Sequence, residues 1–219
     1  MKWLKQLFVF LIQLVIIAIL PFWVFIRGSV WLYEAYGVYH WLGLAAMFGL
    51  VFFILLIYMA MVWDAVFGAN KITRRSLKGK MLLVFLLLGV YAGYGLFNLS
   101  GGNAKTEEVR KEYTSLHPFM RMAVGTFVLF DKSILVTDMA RGQEDYKKMG
   151  LKTIKNSLHY EQKTGYVHAM DLRTKGHSEF RNTMLKWYFK VLGFNTLRHV
   201  GTADHLHISL TVRGKPGVI

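Results

Sequence analysis

Cysteine is absent from this chain. Its absence excludes disulfides and thiolate metal ligands, so any metal site must be built from histidine and carboxylate side chains. Negative charge is scarce as well: 13 acidic residues stand against 27 Lys and Arg, a formal net charge of +14. Charge of either sign is nearly missing from three long apolar runs, residues 3–26, 39–63 and 81–98. Each run is near the ~20 residues that cross a bilayer, which predicts three spanning helices. No internal repeat or low-complexity tract interrupts the 219 residues, a length that holds a membrane region and a compact domain.

The basic residues orient the spans, because short loops rich in Lys and Arg stay in the cytoplasm. Lys71, Arg74, Arg75, Lys78 and Lys80 face only Asp64 between the second and third runs. Arg27 faces Glu34 between the first two, and Lys2 and Lys5 come early in the chain. The N-terminus is therefore expected in the cytoplasm, and everything after about residue 100 outside the cytoplasmic membrane. The first run is longer than the ~7–15-residue apolar core of a secretory signal and has no small-residue cleavage site after it, so it is expected to stay attached. Trp23, Trp31, Tyr33, Tyr36, Tyr39 and Trp41 gather around the outer ends of the first two spans. They read either as interfacial aromatic residues or as a short re-entrant or amphipathic segment. Lys and Arg outnumber acidic residues 8 to 2 before residue 100 and 19 to 11 after it. A basic external domain suits anionic cell-wall polymer or lipid headgroups. Nucleic acid, the usual partner of such charge, lies on the other side of the membrane.

Asn98-Leu99-Ser100-Gly101-Gly102-Asn103 is a flexible break that separates a membrane region, 1–100, from an external domain, 104–219. Thr106 to about Phe127 suits a helix with acidic residues in its first turn. Ser133–Thr137 reads as a strand and Gln143–Met149 as a short helix. Ser178–Leu192 carries Phe180, Met184, Trp187, Tyr188 and Val191 at helical spacing, with Trp187 and Tyr188 read as core, and Gly193 stands where a C-terminal cap belongs. Asn195–Val200 and His205–Val212 read as strands. The fold class is thus a multi-pass helical membrane region followed by an α+β domain with a small antiparallel sheet.

Two polar stretches in the last third carry the chemistry: Ser157-Leu158-His159-Tyr160 running on to Ala169-Met170-Asp171-Leu172-Arg173, and Asp204-His205-Leu206-His207. Together they supply two imidazoles and a carboxylate for one metal, with a spare imidazole beside it. A hydrolytic zinc site needs three such ligands, a position left to water, and a base for the water's proton. On a strand His205 and His207 point the same way, about 6–7 Å apart, so one can bind metal while the other acts on water. The plainer alternative is a pair of exposed strand histidines.

The sequence Ser-Leu-His-Tyr-Glu, then Ala-x-Asp-Leu-Arg-Thr, then Asp-His-Leu-His-Ile-Ser-Leu resembles the zinc peptidases of the D-alanyl-D-alanine carboxypeptidase and murein endopeptidase type, whose fold the amino-terminal domain of hedgehog proteins shares. The resemblance covers roughly residues 115–212, including Val136-Thr137-Asp138-Met139-Ala140-Arg141. It implies His159, Asp171 and His207 as Zn2+ ligands, His205 as base or transition-state stabiliser, and Arg141 as holder of a substrate carboxylate or the developing oxyanion. Asp204, three positions before His207, is either the base or a residue that orients a histidine. Arg141 otherwise reads as a surface residue at a helix start. The family spaces its first ligands as His-x-x-Gly-x-Ala-x-Asp, whereas 11 residues separate His159 from Asp171. A bulged loop or longer hairpin with Gly165 at positive φ absorbs the excess. His168 is a competing ligand, and a distorted site binds zinc without turnover. His117, His177 and His199 read as structural or solvent-facing.

The expected activity is that of a membrane-anchored zinc metallopeptidase cleaving stem or cross-link peptides of peptidoglycan. Three spans exceed what a tether needs, which points to a protein partner through the membrane region. The alternative is a non-catalytic zinc-fold module that binds cell wall or a protein within an envelope assembly for secretion, conjugation or division.

Overall fold

A computed structural model of the chain describes residues 2–67, 74–148, 150, 156–201 and 204–212. The N-terminal part is helical: α1 (Lys2–Tyr36), α2 (His40–Phe67) and α3 (Arg74–Phe97). Among the described residues two helices are long and apolar enough to cross a membrane, over His40–Ala60 and Ser76–Phe97. Leu82, Leu83, Phe85, Leu86, Leu87 and Val90 stand exposed along α3, a larger apolar face than water tolerates without a partner. The first apolar run forms the N-terminal part of α1, where side chains at several positions, 14–18 among them, lie outside the described residues.

The sequence predicts that the first helix stops near Ile26, but α1 continues to Tyr36 and leaves only Gly37–Tyr39 as the link to α2. Burial holds the extra turns in place: Val30 is fully buried, and the Ser29 hydroxyl donates to the Phe25 carbonyl at 2.7 Å. Gly37 ends the helix at φ 67°, its N–H on the Tyr33 carbonyl at 3.0 Å, a left-handed cap that glycine adopts without steric cost. Trp31 and Tyr36 are therefore helix residues, in edge-to-face contact with centroids 5.0 Å apart.

The helix expected over Thr106–Phe127 is broken into α4 (Glu107–Lys111), a 3-10 turn at Glu112–Ser115, and α5 (Pro118–Phe130). Pro118 is the cause, because the residue before a proline is forced to extended backbone and proline itself suits only a first turn. His117 stands at ψ 135° and its Nδ1 accepts from the Phe119 N–H at 3.4 Å. Helix α5 is apolar and lodges among the N-terminal helices: Tyr91 and Thr126 share a hydroxyl hydrogen bond of 2.5 Å, and Arg121 donates to the Leu96 carbonyl at 2.7 Å. Two glycines let α3 and α5 approach closely, since a Cβ on Gly125 would lie 2.7 Å from the Gly95 Cα. Gly125→Ala is expected to cost about 1–3 kcal/mol by forcing α3 and α5 apart, read as a lower thermal midpoint of the detergent-solubilised chain.

Beyond α5 lies a four-stranded antiparallel sheet in the order β1-β2-β4-β3: β1 (Val136–Asp138), β2 (Ala169–Arg173), β3 (Asn195–His199) and β4 (His205–Ser209). Helix α6 (Gln143–Lys148) follows β1, and α7 (Glu179–Val191) joins β2 to β3. Ser178 caps α7 by accepting from the Arg181 N–H at 3.3 Å, and Gly193 follows it at φ 99°. A Cβ on Gly193 would collide with Arg27 and Val30 of α1, so the sheet domain rests directly on the helical part. Of the two α7 residues read as core, Tyr188 is half-buried with its ring edge-to-face on Phe127 at 4.9 Å, whereas Trp187 is exposed. Leu185 and Phe189 are the buried pair, whereas Phe180, Met184, Trp187 and Val191 are exposed. The helix carries two apolar stripes, and the one formed by Leu185 and Phe189 is buried.

Candidate metal centre

Sheet register builds the site. Asp171 of β2 and His207 of β4 are direct cross-strand partners, and such pairs bring side chains on one face within contact. Their side chains meet, His207 Nδ1 lying 2.8 Å from Asp171 Oδ1. His159 approaches from the preceding loop, its Nε2 3.3 Å from His207 Nδ1 and 3.6 Å from Asp171 Oδ1. Donors about 2.0–2.1 Å from a tetrahedral ion stand roughly 3.3–3.4 Å apart. The two imidazoles already hold that spacing, and Asp171 brackets it. His159, Asp171 and His207 can therefore hold one metal ion.

Surrounding groups fix the donors. The Met139 carbonyl accepts from His159 Nδ1 at 2.6 Å, which places the ring proton on Nδ1 and leaves the Nε2 lone pair facing the site. The Arg141 N–H donates to the His159 carbonyl at 3.0 Å, so the segment after β1 clasps this residue from both ends. Arg141 also donates from Nη2 to Asp171 Oδ2 and from Nε to Asp138 Oδ2, the latter at 2.8 Å. The insertion between His159 and Asp171 forms a tight loop. Glu161 bridges Val167, the Gln162 N–H reaches the Tyr166 carbonyl at 2.9 Å, and Gly165 turns at φ 78°.

Burial alone would raise the Asp171 carboxyl. The His159 and His207 imidazoles and the Arg141 guanidinium beside it outweigh that effect and hold the group well below the usual carboxylate range. A depressed folded pKa contributes stability that is fully present above the unfolded value of ~3.9 and is lost as pH falls below it. Denaturation curves of the chain are thus expected to lose stability steeply below about pH 4, and Asp171→Asn to flatten that limb.

His205 sits beside the cluster, Nε2 3.9 Å from Asp171 Oδ1, its ring stacked on His199 with centroids 4.7 Å apart at 24°. His199, read from sequence as structural or solvent-facing, is brought there by pairing opposite His205 in the β3–β4 ladder. Burial and the charges of His205 and His207 lower its pKa. Asp204 lies apart from the three donors. Arg198 grips both its oxygens, at 2.6 and 2.7 Å, and the Thr174 hydroxyl donates to Oδ1 at 2.7 Å. Those hydrogen bonds pull its pKa down to about 2.

His168 does not join the cluster. It is fully buried against His117, with ring centroids 4.7 Å apart, and shares a 2.7 Å hydrogen bond with Thr164. Burial and nearby His40 push its pKa down to about 4 despite the opposing hydrogen bond involving Leu210. His117 is likewise buried rather than solvent-facing, among Tyr33, His40 and Tyr166. A cleft of about 290 Å³ opens next to His159 and Arg141, lined also by Glu112, Asp145 and Glu161. No family model, curated protein or solved structure matches the chain.

Proposed function

We propose that the chain is a membrane-anchored zinc metallopeptidase that cleaves stem or cross-link peptides of peptidoglycan on the outer side of the bacterial cytoplasmic membrane. The observation that carries this reading is the convergence of His159, Asp171 and His207 at metal-ligand spacing, with His205 beside them. Two imidazoles and one carboxylate leave a fourth position open, the composition of a catalytic rather than a closed structural zinc site. The motifs around these residues resemble the zinc peptidases named above, and α1 would serve as a third span with the N-terminus inside.

Bound zinc supplies a Lewis acid for the scissile carbonyl and lowers the pKa of water at the site toward ~7. The chain's own residues do the rest. His205 accepts the water's proton at Nε2 and returns it to the leaving amine. Arg141 orients Asp171, and Met139 holds the His159 tautomer. The peptide lies in the cleft beside His159 and Arg141. Asp204, neutralised by Arg198, positions the start of β4 rather than serving as the base.

One observation favours the non-catalytic alternative, a zinc-fold module that binds cell wall or a protein partner. The Arg141 guanidinium is committed to Asp138 and Asp171, which leaves less of it for substrate. Incubating the full chain in detergent with muropeptides decides between the two. Release of new amino termini that a chelator abolishes and zinc restores is the peptidase outcome, and retention of peptidoglycan without release is the binding outcome.

A further inference from the structure

A second cavity, of about 540 Å³, lies between α1, α5 and α7, within the ~300–1,000 Å³ usual for ligand clefts. Ile19 and Trp23 form one wall, Phe127 and Phe130 another, and Met184 and Trp187 the third. Its two side-chain hydroxyls are bonded to the α5 backbone: Thr126 donates to the Met122 carbonyl at 2.7 Å and Tyr188 to the Ala123 carbonyl at 2.8 Å. Both protons are thus spent on the protein, and the rest of the lining is almost wholly apolar, which suits a hydrocarbon chain.

The groove continues outward on both sides. On α1, Ile19, Leu20 and Trp23 are exposed; on α7, Phe180, Met184, Trp187 and Val191 form an exposed stripe at spacings of four, three and four residues, one face of a helix. Exposed Lys186 and Lys190 lie on the same helix, and the Lys190 ammonium stands 5.4 Å over the Trp187 ring. Tryptophan at the edge of an apolar stripe, with lysines whose stems cover apolar surface and whose charges stay in water, is the pattern of a helix lying in a headgroup boundary.

We propose that this groove takes an acyl chain of an anionic membrane phospholipid, its headgroup met by Lys186 and Lys190, with α7 lying in the outer membrane–water boundary. The proposal rests on the membrane reading of the N-terminal helices. Helix α7 then adds a second attachment that fixes the domain's orientation above the bilayer.

The test uses the full chain in vesicles of phosphatidylethanolamine and phosphatidylglycerol that carry phosphatidylglycerol with a photoactivatable acyl chain. Labelled positions are mapped by mass spectrometry after irradiation. Adducts are expected on Met184, Trp187 or Val191 as well as on the exposed face of α3. Met184→Glu is expected to reduce the α7 adducts about tenfold or more, because a carboxylate is costly in hydrocarbon, and to leave those on α3 unchanged. Adducts on α3 with none on α7, or α7 adducts that Met184→Glu leaves intact, overturn the groove while the membrane reading stands. Adducts on neither helix overturn both.

Discussion

His207→Ala is expected to remove the metal from an otherwise folded chain. Structural zinc sites with four ligands bind with ~10–16 kcal/mol of apparent free energy, so one ligand's share corresponds to a loss of roughly 100-fold or more in affinity. Folding should survive, because β4 is held by backbone pairing on both sides and Asp171 keeps its ion pair with Arg141 when the imidazole is gone. Elemental analysis of the variant after gel filtration in detergent, beside its circular dichroism, checks both halves. A variant that keeps its full complement of metal would remove His207 from the ligand set.

His205→Ala is expected to behave in the opposite way, keeping the metal and losing turnover. General acid–base residues contribute typically ~10²–10⁴-fold, so kcat/KM for muropeptide hydrolysis should fall by about that factor. The separation follows from position. The His205 ring stacks on His199 and its Nε2 stays 3.9 Å from Asp171 Oδ1, beside the donors rather than among them. Loss of metal in this variant would make His205 a ligand and leave the site without a base.

Much of this arrangement was legible from residue types and periodicity. Alternation over His205–Val212 put His205 and His207 on one face, and β4 carries both toward Asp171. The long interval before Asp171 is taken up by a turn at Gly165, a position whose positive φ suited a glycine from the start. Pro118 was a visible helix breaker, and the reading that ran one helix through it gave more weight to apolar spacing than to the missing N–H.

Other features depend on tertiary pairing and left no local mark. His199 stacks on His205 only because β3 lies beside β4, and a lone histidine at a strand end carries no sign of its neighbour. The reading of Trp187 as core failed for a related reason. Phe180, Met184, Trp187 and Val191 form a clean apolar stripe, yet it is the narrower Leu185–Phe189 stripe that is buried. Hydrophobic periodicity says that a face wants to leave water; it does not say whether protein or lipid receives it. The extension of α1 past Ile26 has the same origin, since Val30 and Ser29 are buried by contacts distant in sequence.

Metal analysis of the full chain, purified from membranes without added metal or chelator, tests the central claim most directly. The account predicts about one zinc per chain, lost in His207→Ala and retained in His205→Ala. A folded chain that carries no metal, or that carries iron in place of zinc, contradicts it.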